Sequence, residues 1–300
     1  MHGRLQRFSG VPLAAVAVSV LGGCFTYSQS DPRVKTLKRI SYTVEQIDPE
    51  CSISAIVAGD PTGQRVIYVH GTPGSAESWG LFLTEPIDGL DAVAIDRPGF
   101  GESATTGAVP SLVEQAEAIE PLLVEHDGRW PILVGHSLGG PIVAQVAADY
   151  PDRVGGIVIV AGALDPDLEK VLLIQRIGNI PFLDLLVPTP LRNANRELIP
   201  LEGELRKLGD HLDEITCPIV IIHGTKDSLV PYENVAYMRE AFAGNPDVTV
   251  ITLEGEDHFT IWTSADRVRE AIETLVGNRG AEMLDDANTD LHVGMSRMPR

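Results

Sequence analysis

Ser137 stands in the stretch PILVGHSLGG, between two glycines and directly after an apolar run. A serine hydroxyl is a weak nucleophile and needs a base beside it, most often a histidine. That base works better when a carboxylate fixes its tautomer and steadies its cationic form. The chain has 8 histidines. His2 and His292 fall in the terminal stretches, and His126 falls at a helix end. His136 adjoins the serine and is expected to point elsewhere. His70 and His223 each precede a glycine at a strand end and are expected to shape turns. His258, in EGEDHF between the last predicted strand and the last predicted helix, is the expected base. Asp227, in IIHGTKDSLVP, lies just past a strand and ahead of His258, and is the expected acid. Asp165, just past IVIVAG, competes for that role. Asp257 adjoins the histidine and is badly placed to bond its neighbour's ring.

Such a relay works only if the elements between these residues bring them together. QRVIYVHG, DAVAID, WPILVGHS, VGGIVIVAG, CPIVIIHG and DVTVITLEG read as short strands. Between them lie helical patterns, including SLVEQAEAIEPLLVEH, LGGPIVAQVAADY, ENVAYMREAFAG and SADRVREAIETLV. Continuous apolar strands alternating with helices predict an α/β fold, a mostly parallel central sheet covered by helices on both faces. Ligand chemistry in such sheets lies at the carboxyl ends of the strands. Ser137, Asp227 and His258 all meet that condition. Ser137 also precedes a helix, whose first N–H groups would face developing negative charge.

The alternation breaks over 165–212, where Pro181, Pro188, Pro190 and Pro200 interrupt helical patches. This insert is expected to be short and mainly helical. Its leucines are read equally well as packing onto the body or as lining an apolar substrate site.

The order Ser137, Asp227, His258, with HGTPGS, DRPGFGES, GHSLGG and HGTKDSLVP, resembles the α/β-hydrolase superfamily over roughly residues 36–278. The resemblance implies a serine hydrolase acting on a carboxylic ester or related acyl bond through an acyl-enzyme. It implies an oxyanion hole built from the backbone N–H groups of Leu138 and Thr72. It implies no cofactor and no metal, and a small-molecule ester or acyl substrate. In that superfamily a cap over the site stands at the place of the 165–212 insert. Relatives that cleave halides or epoxides carry aspartate where Ser137 stands. An acyltransferase, a peptidase or a non-catalytic surface binding protein on the same fold are the alternatives. Asp96 and Ser103, in the glycine-rich turn, are expected to be structural, and Trp79 to be core.

The formal charge of −19 over 300 residues disfavours a polyanion, so nucleic acid is not an expected partner. Residues 1–23 carry Arg4 and Arg7, no acid, and an apolar run too short for a comfortable membrane span. That is a signal-peptide pattern. LGGC, ending at Cys24, resembles the lipobox of bacterial lipoproteins, which implies lipidation at Cys24. The expected plan is a signal peptide at 1–23, a polar tether at 24–35, a catalytic domain at 36–278 and a weakly patterned tail at 279–300. The expected location is an exported, membrane-anchored lipoprotein on the outer face of the cytoplasmic membrane or on the outer membrane. Cys51 and Cys217 have no metal-ligand spacing and are read either as buried thiols or as a pair.

Overall fold

A computed structural model describes residues 31–47, 51–103, 107–169 and 187–277. The expected signal peptide with Cys24, the expected tether up to residue 30, residues 170–186 of the expected cap, and the expected tail lie outside the described residues. So does the Cys51 side chain, and with it the question of a Cys51–Cys217 pair; Cys217 is buried. Among the described residues no helix is long and apolar enough to cross a membrane.

Eight strands form one sheet: β1 (Lys38–Val44), β2 (Cys51–Gly59), β3 (Gln64–Val69), β4 (Leu90–Ile95), β5 (Ile132–His136), β6 (Gly156–Val160), β7 (Ile219–Gly224) and β8 (Val248–Leu253). Their order is β1-β2-β4-β3-β5-β6-β7-β8. β1 pairs antiparallel with β2 and β2 antiparallel with β4. Every later pairing is parallel, from Val66 opposite Ile132 to Ile221 opposite Val250. The mostly parallel α/β sheet expected from the sequence is therefore present.

Side chains alternate across the pleat, so each central strand feeds two cores. Ile67, Val69, Leu133, Ile157, Ile159, Ile219 and Ile221 point to one face. There they meet α2 (Leu112–Glu117), α3 (Gly139–Asp149), α5 (Leu201–Gly209) and α6 (Asn234–Ala241). Val66, Tyr68, Val134, Val158, Val160, Val220 and Ile222 point to the other. They meet Trp79, Phe82 and Leu83, from a 3₁₀ turn (Ala76–Trp79) and α1 (Gly80–Thr84). Val268, Ala271, Ile272 and Leu275, from the helix over 265–277 (α8), complete that side. Burial on both faces explains why these strands read as unbroken apolar runs.

The helix expected over 111–126 is shorter. It closes at Glu117 and gives way to a 3₁₀ turn, Glu120–Leu122. Pro121 has no N–H to donate to Glu117, and its ring crowds the preceding turn. Within 165–212 the described helices are α4 (Thr189–Leu198) and then α5, with Pro200 between them.

Candidate active site

β5 ends at His136, and α3 begins at Gly139. Ser137 sits on the turn between them at φ 55°, a left-handed conformation rare for a residue with a side chain. The turn is held by the Ser137 N–H on the Val160 carbonyl at 3.0 Å and by the Gly140 N–H on the Ser137 carbonyl at 2.9 Å. A left-handed serine costs on the order of 1–3 kcal/mol, offset here by the surrounding packing. Gly135 makes the turn possible, because a Cβ there would lie 2.1 Å from the Gly139 carbonyl oxygen. Such packing of strand against helix start lifts the serine clear of the sheet. Ser137 is partly exposed, whereas its neighbours are buried.

The loop after β3 lies directly against Ser137: a Cβ placed on Gly71 would be 2.8 Å from the serine Cβ and 3.4 Å from its Oγ. Thr72 follows in that loop. Among the described residues, the backbone N–H groups of Thr72 and Leu138 donate to no acceptor.

Beyond β7, Asp227 folds its own loop. Oδ1 accepts from the N–H groups of Leu229 at 2.9 Å and Val230 at 2.8 Å. Oδ2 accepts from His258 Nδ1 at 2.7 Å. Burial pushes this carboxyl's pKa up, but hydrogen bonds from His223 and His258 outweigh it and hold the group well below the usual carboxylate range. His258 lies between β8 and α7 (Thr260–Thr263), with its side chain 9% exposed. With Nδ1–H committed to Asp227, its Nε2 is the nitrogen left to take a proton. The structure thus brings Asp227 and His258 into contact. Asp165 does not share in this: its carboxylate accepts from the Asp167 N–H at 2.9 Å, within its own turn. The Asp257 Oδ1 accepts from the Phe259 N–H at 2.9 Å.

His136 corrects one expectation, since its ring does not point away from the site. It packs on the His258 ring with centroids 4.8 Å apart, and its Nε2–H donates to the His258 carbonyl at 3.0 Å. Burial, then the neighbouring His258, lower its pKa to about 3, so it stays neutral. The only sequence signal was its place beside Ser137, and adjacency on a strand predicts opposite faces rather than shared contact. His223 donates to the Val230 carbonyl at 2.9 Å, and the same nitrogen lies 3.5 Å from Asp227 Oδ2. It shapes the turn and also borders the acid. His70 Nδ1–H donates to the Gly71 carbonyl at 2.7 Å, and its Nε2 accepts the Arg97 N–H at 3.0 Å, tying two loops together.

Asp96 is wholly structural in its contacts: it accepts from the Ala76 N–H, the Glu102 N–H and Arg39. Ser103 donates to the Asp96 carbonyl and accepts the Ser54 N–H. Trp79 is fully buried between Tyr68 and Phe82. No cluster of metal-ligating side chains occurs among the described residues.

Comparison with known proteins agrees with this architecture. A family model described as alpha/beta hydrolase fold matches residues 64–185. The dihydrolipoyllysine-residue acetyltransferase component of the acetoin cleaving system of Cupriavidus necator is 34% identical over 99 residues, 33% of this chain and 26% of that one. This chain therefore spans about a quarter of that relative's length. The pimeloyl-[acyl-carrier protein] methyl ester esterase of Aeromonas hydrophila is 25% identical over 254 residues, 72% of this chain and 96% of that one. A solved thermophilic esterase from Thermogutta terrifontis superposes with a TM-score of 0.63 at 20% identity, covering 80% of this chain and 98% of that one. With eight strands in this order, a serine turn after β5 and these similarities, the chain has the α/β-hydrolase fold.

Proposed function

We propose that the protein is a serine hydrolase that cleaves a carboxylic ester or related acyl bond. The observation that carries this reading is the 2.7 Å contact between Asp227 and His258, in a site where Ser137 stands on a left-handed strand-to-helix turn. Ser137 Oγ attacks the acyl carbon while its proton passes to His258 Nε2. Asp227, ionised, steadies the imidazolium that results. The tetrahedral oxyanion is met by the N–H groups of Leu138 and Thr72, each such donor being worth ~2.7–4 kcal/mol in another serine hydrolase. The acyl–oxygen bond breaks, His258 returns the proton to the leaving alcohol, and the acyl group stays on Ser137. Water then repeats the sequence, freeing the acid and the serine. The esterase named above supports this choice of bond.

Transfer of the acyl group to an alcohol or thiol uses the same residues, and a partial likeness to an acetyltransferase component favours it as the second reading. Adding competing alcohols to a hydrolysis assay separates the two. The deciding experiment is a fluorophosphonate label on residues 25–300. Wild type should be labelled at Ser137 and should hydrolyse short-chain p-nitrophenyl esters. Ser137→Ala should lose the label and all but a few per cent of turnover while melting as the wild type does. Retained turnover would mean that another residue attacks.

The proposal extends to location. The basic start, the apolar run and LGGC support lipidation at Cys24 and anchoring at a bacterial membrane, where a lipoprotein's two acyl chains give stable attachment. Full-length protein expressed in a bacterium should fractionate with membranes, and Cys24→Ser should not. Identical partitioning of the two would sink this reading.

A further inference from the structure

α4 presents Asn193 and Glu197, four residues apart and hence on one helix face, to the body of the protein. Both are buried. Asn193 Nδ2 donates to the Gly99 carbonyl at 2.7 Å. Glu197 gathers four donors from three separate segments. Arg97, in the loop after β4, donates from Nη1 to Oε1 at 2.8 Å and from Nη2 to Oε2 at 3.2 Å. Gln115 on α2 donates to Oε1 at 2.8 Å. Thr72, in the loop against Ser137, donates its hydroxyl to Oε2 at 2.7 Å. The Arg97 and Glu197 side chains are 0% and 1% exposed.

A buried ion pair is a poor means of fastening a cap, since apolar residues of equal volume often hold as well or better. What apolar residues cannot do is fix the orientation of a peptide. Here three contacts converge on residues 70–72. The Thr72 hydroxyl is held by Glu197. The Gly71 carbonyl accepts from Arg97 Nη2 at 3.0 Å. The His70 ring accepts the Arg97 N–H. The Arg97 guanidinium is itself steadied over the Phe100 ring at 4.9 Å.

We propose that Glu197 is a positioning residue. Through Arg97 and the Thr72 hydroxyl, this cap carboxylate sets the Thr72 peptide N–H at the reacting centre, so the oxyanion hole is complete only when α4 is docked. The proposal rests on the reading of Ser137 as nucleophile and Thr72 as oxyanion donor. Such donors must be held within about 0.5 Å to be effective, and an error of about 1 Å costs on the order of 10²-fold in rate.

The test compares wild type, Thr72→Val, Thr72→Ser, Glu197→Gln and the double variant Arg97→Met/Glu197→Leu. For each, kcat and KM on a short p-nitrophenyl ester, fluorophosphonate labelling and Tm are measured. Thr72→Val removes only the hydroxyl and leaves the ion pair. Its kcat should fall about 10-fold, with KM within about threefold and Tm near wild type, and Thr72→Ser should recover most of that loss. Glu197→Gln should lower kcat by about 10- to 100-fold. The double variant refills the space with apolar groups, so it should regain Tm without regaining kcat. Recovery of kcat together with Tm in the double variant would make Glu197 a mere fastener and overturn the proposal. So would wild-type kcat in Thr72→Val and Glu197→Gln. Failure of wild-type Ser137 to take the label overturns the underlying functional reading as well, whereas a labelled wild type with unaffected variants overturns the positioning role alone.

Discussion

At the scale of single residues, the site is organised around one carboxylate. Asp227 accepts two backbone N–H groups through Oδ1, which leaves Oδ2 in one orientation for the His258 Nδ1–H. An amide in its place would offer His258 a weaker or wrongly protonated partner and favour the unproductive tautomer. Asp227→Asn should therefore lower kcat by orders of magnitude, up to ~10⁴-fold. Asp165→Asn should change kcat little, because Asp165 turns its oxygen to Asp167. Steady-state kinetics of the two variants check this, and the reverse ranking would move the acid to the end of β6. The Asp227–His258 contact was legible because both residues lie in loops just beyond strand ends, where the proposed relay would need them. Glu197 and His136 were not. Glu197 meets Arg97 across 100 residues and Thr72 across 125, and in its own stretch it is one more polar residue in the last turn of a helix. His136 shares the site by way of the His258 backbone, a contact with no local signature.

At the scale of elements, the strands were easier to read than the helices. β5, β6 and β7 are buried along their whole length and apolar over most of it because both faces are covered, and their bounds follow from that. Helix ends depend on single residues, as Pro121 shows by stopping α2 four residues before it. Two glycines separate close approach from mere occupancy. Gly135 faces backbone atoms of Gly139 and Gly140 that cannot rotate away. Gly135→Ala should cost about 1–3 kcal/mol and displace the serine turn, so both Tm and turnover should fall. Gly203, inside α5, is exposed and has nothing within 4 Å of a added Cβ. Gly203→Ala should stabilise the fold by about 0.5–1 kcal/mol, with kcat unchanged. Chemical denaturation of both variants is the measurement, and a neutral Gly135→Ala would contradict the packing described for the turn.

At the scale of the whole molecule, buried histidines set the response to acid. Burial lowers the pKa of His136 to about 3 and holds His70 well below the ordinary histidine value of 6.5. Below about pH 6.5 the unfolded chain takes up protons that these two sites refuse, so unfolding is favoured by up to about 1.4 kcal/mol per pH unit for each. Glu169 acts in the opposite sense: burial, then Asp165, push its pKa up to about 7, so the folded chain gains a proton there between about pH 7 and 4.5. The two effects partly cancel in that interval, and the steeper loss falls below about pH 4.5. Asp227, whose pKa is depressed in the fold, adds to the loss below about pH 4. Denaturant midpoints at pH 7, 5.5 and 4 should fall slowly and then sharply. His136→Asn should have the shallower dependence, and an unchanged slope would show that His136 is not a buried neutral group.

The span between Arg97 and Glu197 also has a meaning in time. These partners are 100 residues apart, and chains are made at about 5–20 residues per second, so Arg97 is made roughly 5–20 s before its carboxylate exists. Through that interval the β3 and β4 strands can pair, but the guanidinium has no anion to enter with and stays in water. The Thr72 hydroxyl beside Ser137 then lacks its acceptor until the second half of the chain arrives. A growing chain thus carries Ser137, the proposed nucleophile, well before Asp227, His258 and Glu197, the groups proposed to put it to use, and stays chemically inert through synthesis.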